Sequence, residues 1–537
     1  MPPHARNIIL FACFALALVC ATSRVRSQGT AVRRVTLSPE GATSLNPALS
    51  GDGRRLVFES SANLLGEAGG QRFRAFAADL ASEPPHVSTL AASRAPAAAV
   101  SQDGSTVAFA SAEDLTGENA DRNSEIFLSA EGRAVQLTHT TPDDPSSRAR
   151  DGNFQPSLAD DSRIVAFSSN RDLTGENADG NSEIFIYETA NGRFSQLTDS
   201  SGDAGSRDAK MSGGGESVAF VRDYSPAGAS SPQLDLVLCR LSTKTFLTVG
   251  AGVARLSLSP ARAISDDGSR VVYAAETASN TTQVFLYDGR NAVTRQLTRL
   301  GSRVSDVVLN PTISGDGSRV AFATRRNVVG GNSDGGVELY LYDLPTNQLS
   351  RVTDAPSSAT TQVVASLDDA GSLAAFNFPR VLVGGFSSDE FANNSEIFLA
   401  SLAPRAPFSS ELKFRHAAIP NRDLAAGQTL APGQMAHARG ANLALATAQA
   451  QRLEGGEFPR SFRNTSVMVN GRAAQIFFVS PAQVNFQIPE ETAAGAAEIV
   501  VRNHDGYESR AAVQISRAAP GVFTERGDGT GAVVALD

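Results

Sequence analysis

No tryptophan occurs in the 537 residues, and cysteine, methionine and histidine number only three, four and six. Each scarcity removes a class of explanation. Two of the cysteines, Cys13 and Cys20, fall in an apolar N-terminal run, so a processed chain keeps Cys239 alone and closes no intrachain disulfide. Cys239 sits in "LDLVLCRL", a strand-like run that suits a small buried hydrophobe rather than a reactive thiol. Beyond the N-terminal run the histidines are His86, His139, His416, His437 and His504. None forms an H-x-H or H-x-x-x-H pair, which argues against a zinc site or a histidine-based lyase site. Basic residues are short as well: 47 Lys and Arg against 56 Asp and Glu leave a net charge of −9. That balance argues against a nucleic-acid partner, which needs a basic face.

What is present begins with an export signal. Arg6 precedes "NIILFACFALALVCA" (Asn7–Ala21), an apolar run too short for a membrane span and suited to a signal core. Val19-Cys20-Ala21 allows cleavage after Ala21, and a cut near Ser27 is an alternative, so residues 1–27 are assigned to the signal peptide. No membrane span is expected once it is removed.

A repeat then occupies most of the chain. "GDGRRLVF" ends at Phe58 and "GDGSRVAF" at Phe322. Related segments end at Phe109, Phe167, Phe220, Tyr273 and Phe376, at intervals of about 53 residues. Each unit reads as four strands. A short strand such as "NPALS" (Asn46–Ser50) meets a Gly/Asp turn that supplies a positive φ, then the "RVAF" strand. After a variable loop come an "SEIFIYE"-type strand (Ser182–Glu188) and a "FSQLTDS"-type strand (Phe194–Ser200). Seven four-stranded units at this period predict a seven-bladed propeller. The last unit lacks its fourth strand, and "VRRVTLS" (Val32–Ser38) stands ahead of the first unit to supply it, which removes a free sheet edge.

The "DG…AF…EIF…QLT" pattern over residues 31–402 resembles the TolB-type β-propeller repeat family. The resemblance implies fold rather than activity. TolB carries an α/β domain ahead of its propeller, and related peptidases carry an α/β-hydrolase domain. Neither pattern is found here.

Two loops are near copies: "DLTGENADRNSEIF" (Asp114–Phe127) and "DLTGENADGNSEIF" (Asp172–Phe185). They link the second and third strands of their blades. Their oxygen donors, Asn119, Asp121 and Glu125 in one and Asn177, Asp179 and Glu183 in the other, carry a calcium reading. Asx-turn bonding within the loop is the plainer alternative. "GNSDG" (Gly331–Gly335) matches the G-x-S-x-G elbow, but no helix follows Ser333. The long loops share one face, where Asp114, Glu118, Asp143, Asp144, Asp151 and Glu176 form an acidic rim suited to binding. The inner strands read small and apolar, with Arg262 the one obvious charge.

After a linker at residues 404–424 the pattern changes. "TSVMVNGRAAQIFFV" (Thr465–Val479) is two strands around Asn470-Gly471, a hairpin signal. "SPAQVNFQIP", "AAEIVVRN" and "RAAVQIS" follow, so residues 425–525 predict a small β-sandwich, with 526–537 as a tail or the start of a further strand. "LAPGQM", "VNGRAAQIFFVSPAQVNFQIP" and "AAPGVFT" resemble the C-terminal Ig-like (IPT/TIG-like) domain of secreted bacterial proteins. No activity is implied by that resemblance.

The sequence therefore predicts an all-β exported monomer: a seven-bladed propeller at residues 28–403, then an Ig-like sandwich. It is expected in the periplasm, at the cell surface or outside the cell. The function expected is non-catalytic binding of a protein, peptide or glycan at the cell envelope, without an obligatory cofactor. The alternatives are a lyase or hydrolase in the propeller funnel, or a TolB-like envelope-assembly component.

Overall fold

The computed structural model describes residues 31–39, 41–66, 72–82, 84–92, 94–130, 132–142, 144, 146, 152–202, 204–224, 233–277, 281–301, 309–355, 362–379, 382, 394–402, 412–416, 423–424, 429–440, 443–444, 447–453, 455–463, 465–503, 508–519, 525–526 and 532. The proposed signal, residues 1–27, lies outside these. The named elements are all strands. Among the described residues seven antiparallel sheets have four strands each, here called sheets 1 to 7 in order of their innermost strands. Sheet 1 comprises Ser44–Leu49, Arg55–Ser60, Arg74–Asp79 and His86–Ala91 in spatial as well as chain order. Sheets 2 to 6 repeat that order, an arrangement consistent with a β-propeller.

The repeated aromatics explain why the second and third strands find each other. Phe58 lies directly opposite Phe76, Phe109 opposite Phe127, and Phe167 opposite Phe185. Their rings stack at 5.7–6.0 Å between centroids. Tyr273–Phe285, Phe322–Tyr340 and Phe376–Phe398 repeat the contact. In sheet 4 Phe220 faces Val237 instead and meets Phe246 edge-on. Directly opposed, buried aromatic pairs set the register, because a slip of one residue would turn them all outward.

The "EIF" and "QLT" segments are joined by a buried clasp. The Glu125 carboxylate accepts bonds from the Thr138 hydroxyl and the Thr140 amide, while Thr138 Oγ1 accepts from the Ile126 amide. Glu183 with Thr198 and Ser200, Gln283 with Thr298 and Leu300, and Glu338 with Thr353 and Ala355 repeat it. A carboxylate taken fully out of water must be met by several donors, and here the residues just past the fourth strand supply them.

Sheet 7 closes with a strand from the other end of the chain. Ala31–Arg34 pairs antiparallel with Glu396–Ser401, in the register Ala31↔Ser401 to Arg34↔Phe398. The clasp recurs across this junction: Glu396 accepts from the Thr36 hydroxyl, the Ser38 amide at 2.8 Å and the Ser38 hydroxyl at 2.9 Å. The regular strand is shorter than the Val32–Ser38 segment read from sequence, because beyond Arg34 the chain turns from ladder bonding to this side-chain clasp.

The C-terminal part has two further sheets, of five and six strands. Phe414, Ala436, Val484 and Phe486 from one share a single core with Val467, Ile499, Val501 and Ile515 from the other. The sequence-predicted hairpin is present: Val469 pairs with Arg472, and Asn470 and Gly471 have φ of 47° and 77°. Two successive positive φ values are what a type I′ turn requires.

Thr36→Val should cost about 1–3 kcal/mol by leaving buried Glu396 short of a donor. Thr138→Val in sheet 2 should cost a similar amount, read as a shift in the urea midpoint at constant slope. A neutral Thr36→Val beside a costly Thr138→Val would show that the leading strand does not close sheet 7 in solution.

Candidate functional site at the propeller axis

The innermost strands end in tight turns whose third residue has a positive φ: 70° at Gly53, 72° at Gly104, 67° at Gly268 and 61° at Ser162, for example. This is the conformational demand behind the repeated glycine. The first residues of the seven turns are Gly51, Gln102, Asp160, Gly213, Asp266, Gly315 and Asp369. Their carbonyls accept a closed circle of backbone hydrogen bonds, each from the sheet before. Gln102, Asp160, Asp266 and Asp369 donate through their own amides, at 2.8–3.1 Å. Where the first residue is glycine, the next residue donates: Asp52, Gly214 and Asp316, each at 2.8 Å.

Glycine and aspartate alternate around much of this circle for a steric reason. A Cβ on Gly213 would overlap the carboxylates of Asp160 and Asp266. One on Gly315 would overlap Asp266, Asp369 and the Arg262 guanidinium, and one on Gly51 would overlap Asp369. The missing side chains make the room in which three carboxylates gather. Their oxygens lie within 4.8 Å of one another, close enough to share a cation.

A guanidinium from the chain itself stands among them. Arg262 Nη1 donates to Asp266 at 2.7 Å and to Asp369 at 2.6 Å, and Nη2 lies 3.8 Å from Asp160. Burial pushes the Asp266 carboxyl up to about 7, with Asp160, Asp369 and Asp316 adding to the effect against the opposing pull of Arg262. Asp160 is raised as well, again mainly by burial. Arg262 and Asp160 also line a cavity of about 60 Å³ with Lys210, Pro156, Pro260 and Ala263. Burial brings the Lys210 ammonium down to about 8, and its Nζ donates to the Pro260 carbonyl at 2.7 Å. Lys210 follows a bulge in its strand at Asp208, a non-glycine residue with φ of 59°. Bulges of this kind re-aim side chains.

The loops read as calcium sites are occupied by local bonding. Glu125 and Glu183 turn into their clasps. The Asn119 and Asn177 side chains each donate to a carbonyl four residues on, at 3.0 Å, and Asp114 and Asp172 accept their amides at 3.1 Å. Asp121 is half-buried and Asp179 exposed. On the acidic rim Glu118 and Glu176 are exposed, Asp144 binds the Ser146 amide, and Asp143 and Asp151 lie outside the described residues. An open groove of about 570 Å³ lies between sheets 2 and 3, lined by Leu137, His139, Arg171, Asp172, Leu173 and Phe194. His139 Nε2 lies 3.6 Å from Glu118.

The sequence reading singled out Arg262 but missed Asp160, Asp266, Asp369 and Lys210. Aligning the first turn residue of each repeat would have exposed the three acids as one column. No helix among the described residues is long and apolar enough to cross a membrane.

No protein-family model matches the chain, and no curated protein does. Solved structures do. An oligogalacturonate lyase from Vibrio parahaemolyticus is 11% identical, with a TM-score of 0.46 over 70% of this chain and 94% of that one. The β-propeller domain of the Trilobed protease from Pyrococcus furiosus is 12% identical, with a TM-score of 0.42 over 63% and 91%. TolB from Acinetobacter baumannii is 14% identical, with a TM-score of 0.33 over 63% and 78%. The expectation that the chain lies outside the enzymes is corrected here. Its similar structures include an enzyme, and the titratable set thought to be missing from the axis is present. Separation in sequence hid that set.

Gly213→Ala and Gly315→Ala should each cost about 1–3 kcal/mol through overpacking. Gly301→Ala, where a new methyl meets nothing within 4 Å, serves as the control. Equal denaturant midpoints for all three would show that the axial carboxylates are not held where the structure places them.

Proposed function

We propose that the chain is an exported seven-bladed β-propeller, residues 28–403, followed by an Ig-like sandwich at 425–525 that also takes in the Lys413–His416 strand from the stretch read as linker, and that it binds a protein, peptide or glycan at the cell envelope through its loop-bearing rim. The groove between sheets 2 and 3 carries this reading. Its roughly 570 Å³ falls in the range of ligand pockets, about 300–1,000 Å³, and the axial cavity of about 60 Å³ falls well below it. The groove offers an apolar floor from Leu137, Leu173 and Phe194, with His139, Arg171 and Asp172 as polar groups around it. The signal-like residues 1–27 support export to the periplasm, the surface or the medium.

A second reading, a lyase or hydrolase working in the funnel, has its own observation. Asp266 and Lys210 titrate near neutrality, as general acid–base catalysis requires, and Arg262 stands beside Asp266 as a fixed positive charge. That chemistry needs the axis to open, since the cavity holds little more than water.

The two readings separate by mutation. Phe194→Ala combined with Arg171→Ala should weaken binding to peptidoglycan sacculi, a glycan array or a peptide library about tenfold or more, consistent with loss of an aromatic anchor and a charged contact. Unchanged binding in that variant would defeat the rim reading. Turnover of a polysaccharide, peptide or ester that survives in the groove variant but is lost in Arg262→Gln would establish the second.

A further inference from the structure

The axial cluster has an unusual charge balance. Three carboxylates, from the turns of sheets 3, 5 and 7, face one guanidinium from the segment that joins the first two strands of sheet 5, Leu256–Ser257 and Arg270–Glu276. Arg262 Nη1 serves two of them, and Asp160 is left with the 3.8 Å contact to Nη2. The remaining turns bring no further positive charge to the circle, since Gly51, Gln102, Gly213 and Gly315 are uncharged. Asp161 and Asp316 stand behind it as further negative charges, felt by Asp160 and Asp266 respectively. Asp267 faces the other way, to Arg290 and Ser269. Lys210, on sheet 4, is tied to the Pro260 carbonyl. Fully ionised, the three carboxylates repel one another at short range with a single cation among them, in a partly buried site that screens poorly. The same residues carry the circle of backbone bonds that joins the sheets at the axis.

We infer that the axial cluster is a proton-dependent latch: the three aspartates and Arg262 hold the innermost turns closed while one carboxyl keeps its proton, and loss of that proton loosens the circle and opens the axial cavity. The inference rests on the geometry of the axis and stands whichever functional reading holds. Its direction follows from linkage. A carboxyl whose folded pKa is raised stabilises the closed form fully below its unfolded value near 4, and that contribution is lost as pH rises through the folded value, here about 7 for Asp266. The latch is therefore shut in mild acid and loosens above neutrality. Three observations bear on the opening. Arg262 Nη1 bridges sheets 5 and 7 across the axis. The Arg262 carbonyl also accepts from the Ile313 amide and the Thr312 hydroxyl of sheet 6. The cavity that would widen is lined by Arg262 itself.

Hydrogen exchange of the circle amides in the full chain tests this, with Gln102, Asp160, Asp266 and Asp369 read at pH 6 and pH 8.5 after correction for intrinsic rates. In the wild type, protection at these amides should fall about tenfold or more between the two, the factor that one unit of pKa difference carries. Asp266→Asn keeps a neutral group in place and should stay protected at both. Glu338→Gln removes the other carboxyl raised to about 7 and should leave the fall intact. A wild type whose corrected protection is flat, or an Asp266→Asn that loosens like the wild type, overturns the latch. So does stabilisation of the wild type by millimolar calcium or manganese that disappears in Asp160→Asn, because the cluster would then be a metal site.

Discussion

Seven peptide hydrogen bonds, closed head to tail around the axis, are the constraint on which the rest of this structure depends. Each spans 2.8–3.1 Å, and each joins a different pair of sheets. A sheet held only through its aromatic packing could slide against its neighbours. Pinned at its innermost turn, it can only fan outward. The demand passes back to sequence at two positions of every repeat. The third turn residue must accept a positive φ, so it is glycine six times in seven, with Ser162 the exception at φ 61°. The first must fit a crowded circle, so glycine alternates with aspartate wherever carboxylates face one another.

The outer end of most sheets is held by a different device. A buried Glu, or Gln283, takes donors from a threonine and from an amide two residues beyond it, just past the fourth strand. When Thr36 and Ser38 make these bonds to Glu396, a local clasp becomes the closure of the whole ring. Among the described residues no disulfide ties the sheets together, and Cys239 is a buried free thiol. The clasp does that work with ordinary polar groups.

Much of this was legible in the sequence, and the failures have physical causes. The aromatic repeat, the Asp-Gly turns and the spare leading strand are local signals that recur, so repetition raises them above noise. Glu125 and Glu183 were visible too, but an acid near Asn and Asp in a loop suggests a metal ligand as readily as a clasp. In the structure both side chains turn inward, to Thr138 and Thr198. The axial cluster was illegible for another reason. Asp160, Asp266 and Asp369 are each more than a hundred residues from the next, and each looks like an ordinary turn aspartate. Their meaning comes from closure, which brings one column of the repeat to one point. A reading along the chain sees acids spread out. A reading down the column would have seen them meet around Arg262.

The same column bears on function. A propeller can bind at its rim or along its axis, and here the two differ in kind. The rim groove is open, mixed in polarity and large enough for a ligand as it stands. The axis is narrow and closed, yet it holds the groups whose ionisation changes near neutral pH. A carboxylate placed against other carboxylates with one cation costs stability unless it is protonated or the group serves some further purpose. Three aspartates at that point, with glycines opposite that make room for them, are hard to account for by packing alone, because an apolar residue at any of the three positions would be free of the desolvation cost. The clasps meet their buried acids with hydroxyl and amide donors, and buried Asp288 and Glu59 each have a guanidinium to themselves, from Arg270 and Arg94. At the axis the fold meets three acids with one guanidinium, and that shortfall of donors is what couples the innermost turns to pH.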